Sequence, residues 1–163
     1  MDAALTSVLR SLVLGRSVAA LATLHDGAPC ASMVPFAAAL HGGRLRLVAH
    51  VSSLAAHTRD MRAAPEVCLL VTAAESEGVP PQALPRVSLP GRAEFIPTDH
   101  PDHAALEAAY LARFPEAADL FAFADFSLVA IEPTSARLVA GFARAMTLSA
   151  ESLAAAVAAA AEA

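Results

Sequence analysis

The chain has 163 residues, 56% of them hydrophobic but only 5% aromatic, and a formal net charge of −5. That length suits one domain with its own core, and a charged share of only 17% excludes a disordered chain. All 11 basic residues are arginine, so no lysine is present to form a Schiff base or to fill a P-loop.

An acidic balance with no arginine cluster longer than Arg44-Leu45-Arg46 argues against a nucleic-acid-binding face. No charge-free window of about 18 apolar residues suits a membrane span. The start, Met1-Asp2-Ala3-Ala4-Leu5, lacks the basic region of a signal peptide, so the expectation is a cytoplasmic protein.

Asp2 predicts a cap for a first helix through Leu5, Val8, Leu9 and Leu12, stopped by Gly15. Ser17 to His25 reads as a strand, and Asp26-Gly27 as a two-residue hairpin turn. The partner strand runs from Ala28 towards Leu40, with Pro35 marking an edge, a bulge or a bend. His41-Gly42-Gly43 turns into the alternating run Arg44 to Val51, which makes a three-stranded meander. Ser52-Ser53 then opens a short helix from Leu54 to about Ala63, ahead of Pro65.

Glu66 to Thr72 reads as a fourth, largely buried strand, and Ala73 to Pro85 as a long loop. Arg86 to Ile96 is a fifth strand, with Pro90-Gly91 as a bulge or corner. Thr98-Asp99 precedes a helix carrying Leu106, Tyr110 and Leu111, and Pro115-Glu116 begins another short one. Asp125 to Ile131 and Ala136 to Phe142 are the last expected strands, and Ser149 caps an alanine-rich final helix. Strands without alternating crossover helices predict a small antiparallel β-barrel with peripheral helices, in one domain spanning 1–163.

The chemistry-bearing candidates are few. At the strand-to-helix junction, the hydroxyls of Ser52 and Ser53, the unpaired amides of a helix start, and His57, Thr58 and Arg59 suit an anion such as a phosphate. Plain capping by a serine, with Arg59 solvated, is the competing reading. Of the six histidines, none shows metal-protease spacing; His100 and His103 read as an exposed acidic helix entrance, and His25 and His41 lie in hairpin turns. Cys30 and Cys68 have no C-x-x-C partner and read as small apolar residues. Neither a G-x-S-x-G elbow nor a G-x-G-x-x-G fingerprint occurs. Late in the chain, Arg144 beside Phe142 offers stacking or forked hydrogen bonds to a planar or phosphorylated ligand.

Taken in order, Asp26-Gly27-Ala28-Pro29 and Ala31-Ser32-Met33-Val34-Pro35-Phe36 resemble the second-strand signature of the pyridoxamine 5'-phosphate oxidase-like, FMN-binding split-barrel superfamily. Leu54-Ala55-Ala56-His57-Thr58-Arg59, Pro85 to Ala93, Tyr110 to Pro115, Phe123-Ala124-Asp125-Phe126 and Gly141 to Ala145 resemble its HugZ-like haem-utilisation branch. The resemblance runs from about Leu14 to Leu148. It implies a mainly β fold with peripheral helices, a six-stranded antiparallel split barrel, forming a homodimer with FMN clefts at the subunit interface.

By that resemblance Ser32, Met33, Val34, Pro35 and Phe36 lie along the flavin. His50, Ser52, Ser53, His57 and Thr58 surround its phosphate, Arg86 stands near the ring, and Arg144 arrives from the partner subunit. The implied activity is flavin-dependent oxidation or reduction of a small-molecule substrate. The alternatives are a haem-binding protein of the HugZ type using the same cleft, and a non-catalytic dimeric module whose cofactor site has decayed. Ala55 and Ala56 stand where tight FMN binders of the family often carry Arg or Lys. No histidine follows His103, where haem-degrading relatives carry a C-terminal ligand, so haem oxygenase activity is not expected.

Overall fold

A computed structural model describes residues 2–141 and 144–159. The first helix, α1 (Ala3–Val13), starts where expected: the Asp2 carboxylate accepts from the Leu5 amide at 2.8 Å. Strands β1 (Val18–His25) and β2 (Ala28–Pro35) follow as a hairpin. Its two turn residues both have positive φ, 51° at Asp26 and 80° at Gly27, the conformation that an Asp-Gly pair adopts at least cost. Next come β3 (Ala37–His41), β4 (Arg44–Ser52), α2 (Ala56–Ala63), β5 (Glu66–Thr72), β6 (Arg86–Ile96) and α3 (His103–Arg113). A 3-10 segment (Pro115–Ala122), β7 (Phe126–Pro133), β8 (Ser135–Val139), β9 (Ala145–Ser149) and α4 (Ala150–Ala158) complete the order.

All pairings are antiparallel, and the sheet runs β2-β1-β5-β6-β7-β4-β3. Its two ends are one strand. β2 and β3 are halves of a single run that changes partner at Phe36, from β1 (Val18 opposite Pro35) to β4 (Ala37 opposite Val48). Pro35 has no amide to donate, so the handover leaves no donor unpaired there. The bend closes the sheet into a six-stranded barrel of β1, β2–β3, β4, β5, β6 and β7. The β8–β9 hairpin hangs on the first residues of β6, where Arg86 faces Val139.

Alternation fills the barrel. Leu21, Leu47, Leu69, Val71, Val87, Leu89 and Ile131 point inward at 0% exposure, with Leu9 and Leu12 of α1 and Leu153 of α4 in the same core. A second core lies outside the barrel, where Leu106 and Tyr110 of α3 cover Ala37, Ala39, Val48, Leu128 and Ala130. β4 is therefore buried on both faces. At Pro90-Gly91 β6 passes from β8 to β7, and a Cβ on Gly91 would stand 2.6 Å from the Glu132 carbonyl oxygen. The corner expected there is a close backbone approach that only glycine permits.

Several expected boundaries are corrected. α2 begins at Ala56, not Leu54, and neither Ser52 nor Ser53 caps it; the cap position is Ala55, with no side-chain bond. The seventh expected strand is β8, ending at Val139, and Phe142 lies outside the described residues. The sixth runs on to Pro133 through the expected turn at 132–134. β9 was not expected at all: three alternations are too few to separate a strand from a helix lead-in. Ser149 caps α4 as expected, accepting from the Ser152 amide.

A buried carboxylate helps tie α2 to the barrel. Asp60, 4% exposed, accepts from Thr23 Oγ1 at 2.9 Å and pairs with His25 Nδ1 at 2.7 Å. The Asp60 hydrogen bond and charge raise His25 above its ordinary 6.5, and the His25 hydrogen bond holds Asp60 below 3.8. The His25 contribution to stability is full below 6.5 and is lost as pH rises through the raised value; the Asp60 contribution is present above 3.8 and is lost as pH falls through the lowered one. Thermal denaturation of wild type and His25→Ala should differ most between 3.8 and 6.5, and less on either side. A difference independent of pH would remove the pair from the stability account. Phe36→Ala empties the pivot of the bent strand and should cost about 3–5 kcal/mol in urea unfolding. A cost below about 1 kcal/mol would show that the barrel closes without that ring.

Candidate functional site

The junction between β4 and α2 is held together by its own polar groups. Ser52 Oγ donates to the Asp125 carboxylate at 2.9 Å, and the Ser53 amide donates to the Asp125 carbonyl at 2.7 Å. The Leu54 amide donates to Ser52 Oγ at 3.2 Å, and the Ala55 amide to the Ser52 carbonyl at 3.1 Å. Thr58, 1% exposed, donates its hydroxyl to the same carbonyl at 2.7 Å. These turn bonds delay the helix to Ala56, since they hold the preceding residues in a non-helical loop.

A phosphate fits this arrangement poorly. The Ser52 and Thr58 hydroxyls are committed, and the Asp125 carboxylate sits where an incoming dianion would meet like charge. Burial lowers the His57 pKa, with Asp60 opposing more weakly, which disfavours the charged imidazole. Among the described residues the Ser53 hydroxyl, the Arg59 side chain and the first backbone amides of α2 remain to meet an anion.

The other expected ligand residues lie elsewhere. Val34 and Phe36 are in the core, at 2% and 0% exposure, while Met33 and Pro35 face outward and Ser32 is half-buried. Arg86 donates to the carbonyls of Leu84 and Gln82, at 3.1 and 3.3 Å, and so fastens the loop before β6. Arg144 is exposed and pairs with Asp2 at 3.3 Å.

His50 alone among these residues lines a cleft. The cleft, of about 480 Å³, lies between α2, α3 and the strands β6 and β7. The His50 ring stacks on Phe121 with centroids 3.9 Å apart and planes within 3°, and Phe126 lies 5.0 Å away. Its Nδ1 is buried without a partner, and burial followed by the nearby His103 lowers its pKa. Arg62 lies 3.8 Å over the Phe95 ring and reaches Ser127 Oγ at 3.4 Å. His103 Nδ1 stands 3.3 Å from Glu107 Oε2, one helical turn on.

α3 is positioned for this by Arg46, whose side chain is 7% exposed. Its two terminal nitrogens lie 3.6 Å from Glu94 and 3.5 Å from Asp102, just before His103. Sequence reasoning missed Arg62, Phe95, Glu107, Phe121 and Asp125 as site residues. One signal was available: six of the eight aromatic residues fall between Phe95 and Phe126. Among the described residues no helix is long and apolar enough to cross a membrane.

The family profile described as pyridoxamine 5'-phosphate oxidase matches residues 5–140. The chain belongs to the pyridoxamine 5'-phosphate oxidase family. The chain is 36% identical over 146 residues to the "Non-canonical heme oxygenase HOZ, chloroplastic" of Arabidopsis thaliana, covering 88% of this chain and 42% of that protein. The solved structure of a heme binding protein from Mycobacterium smegmatis superposes with a TM-score of 0.79 at 31% identity, over 95% of this chain and 61% of the other. HutZ from Vibrio cholerae, described as a heme storage protein, shares the fold with a TM-score of 0.65 at 24% identity, over 78% and 86% of the two chains. The chain thus spans less than two thirds of the plant and mycobacterial relatives.

The Ser52–Asp125 pair offers a direct test of how this junction receives an anion. Asp125→Asn keeps an acceptor for Ser52 and removes the negative charge. FMN affinity, followed by quenching of flavin fluorescence, should rise about tenfold or more in that variant. Unchanged affinity would show that Asp125 is not what keeps phosphate out.

Proposed function

We propose that this protein is a homodimeric haem-binding protein of the haem-utilisation type, rather than a flavin-dependent oxidoreductase. The observation that carries the reading is the Ser52–Asp125 hydrogen bond, which sets a carboxylate beside the junction that the resemblance assigns to a flavin phosphate. Haem does not need that anchor. It needs flat apolar walls, a ring nitrogen for its iron, and a cation for a propionate. His103, Arg62, Phe95 and Phe121 supply those types around one cleft. Two relatives above 30% identity are described as a heme oxygenase and a heme binding protein. When bound, the iron would supply the redox chemistry, and the chain would bind and orient it.

The dimer rests on an outward sheet face without charge at its centre. Met33, Ala20 and Leu70 form one cross-strand row over β2, β1 and β5, and Ala31, Ala22 and Cys68 the next. Met33 is 66% exposed and Leu70 37%. An exposed apolar face of this kind invites a second copy to cover it.

Haemin titration should give a saturable Soret band at about one haemin per chain, while FMN fluorescence stays unquenched. Size-exclusion chromatography should return a dimer, and Ala22→Arg a monomer, because the guanidinium would be buried in the apolar seam. Quenched FMN with no Soret band would overturn the haem reading. A wild-type monomer would overturn the dimer.

A further inference from the structure

Resting on the dimer reading above, we infer that the two subunits lock as knob and slot, Met33 of each chain seated in a slot on the other's outward sheet face. Four strands make this face, in the order β2-β1-β5-β6. Their register lays two rows across it: Met33, Ala20, Leu70 and Ser88, then Ala31, Ala22, Cys68 and Pro90. Both rows point out of the barrel, since the alternate residues Leu21, Leu69 and Leu89 are fully buried inside it. Neither row carries a charge.

The face is not level. On β2 Met33 stands clear of its own chain, 66% exposed. Towards β6 lies a slot of about 480 Å³ lined by Ala22, Leu24, Pro29, Cys68, Pro90 and Gly91. The slot exists because Ala22 and Gly91 bring little or no side chain to it. A long, unbranched thioether suits an irregular apolar gap of this kind. Knob and slot on one face make that face self-complementary, which is what a two-fold interface requires.

The direction of the axis decides whether they meet. A two-fold axis along the strands, between β1 and β5, lays β2 of each chain over β6 of the other. Met33 then stands over the partner's Ser88, one same-face step of roughly 7 Å from Pro90 at the slot, and strand side chains lean along the strand. An axis across the strands would lay β2 on β2 and leave both slots empty. Charge at the rim agrees with the first arrangement. Asp26, 96% exposed at the hairpin tip just past the Pro29–Leu24 pair, is carried towards the partner's Arg92. Arg92 meets Glu66 through one nitrogen, Nη1, so the rest of its fork is left for a second carboxylate.

The test is sedimentation equilibrium on wild type, Met33→Ala, Cys68→Phe and the double variant, with circular dichroism to show that each is folded. Met33→Ala removes both knobs and should weaken the dimer about tenfold or more. Cys68→Phe fills both slots and should weaken it by a similar factor, because Met33 then has no place to enter. The double variant should regain most of the affinity, since each filled slot meets a shortened knob. Mixed in equal amounts, the two single variants should pair with each other in preference to themselves: one knob keeps its slot, and the filled slot faces no knob. If Met33→Ala dimerises as wild type does, or the double variant is no tighter than the singles, the contact is wrong and the dimer reading stands. A wild-type dimer that takes up anilinonaphthalene sulfonate, with uptake lost in Cys68→Phe, would give the slot to a small apolar ligand and likewise overturn the contact. If wild type is a monomer, both fall.

Discussion

One strand serving two partners is the constraint on which the rest of this molecule depends. The run from Ala28 to His41 pairs with β1 over its first half and with β4 over its second, and Phe36 is the pivot. The ring is fully buried, and the Phe36 amide donates to the Ser17 carbonyl at 3.0 Å, which anchors the bend to the start of β1. Without that handover the sheet would have two open edges, at β2 and at β3, each a template for unwanted pairing. With it, the barrel closes and every strand has a fixed inward face.

The closure also decides where a ligand can go. Once Leu45, Leu47, Ala49 and Val51 point into the barrel, Arg46, Val48, His50 and Ser52 must point out. These outward residues meet three different surroundings. Arg46 clamps the start of α3 through Asp102 and Glu94, Val48 enters the second core, and Ser52 is closed off by Asp125. His50 falls between them, walled by aromatic rings beside a cleft. The candidate site is therefore a by-product of β4's alternation and of the helix packed across it.

Much of this is legible in the sequence. Asp26-Gly27 and Gly42-Gly43 announce their turns through the positive φ that they alone adopt cheaply, and Pro35 marks the bend because it cannot donate. Asp2 and Ser149 declare their helices through local side-chain bonds. What stayed hidden was long-range. Ser52 looks like a helix cap to any local reading, yet its partner is Asp125, 73 residues on. Arg46 looks like a surface arginine until Glu94 and Asp102 close on it. His103 looks like part of an exposed acidic helix entrance to a local reading, because the aromatic walls around it arrive from β6, β7 and the 3-10 segment. Side chains brought together by topology leave no periodicity to find.

The proposed preference for a planar iron tetrapyrrole over a flavin phosphate is read by a direct competition. Equimolar haemin and FMN are added to the protein in one cuvette, with the Soret band and flavin fluorescence recorded together. A growing Soret band with flavin fluorescence at its free-ligand level is the predicted result. Quenched flavin fluorescence with haemin left in its free spectrum would contradict it.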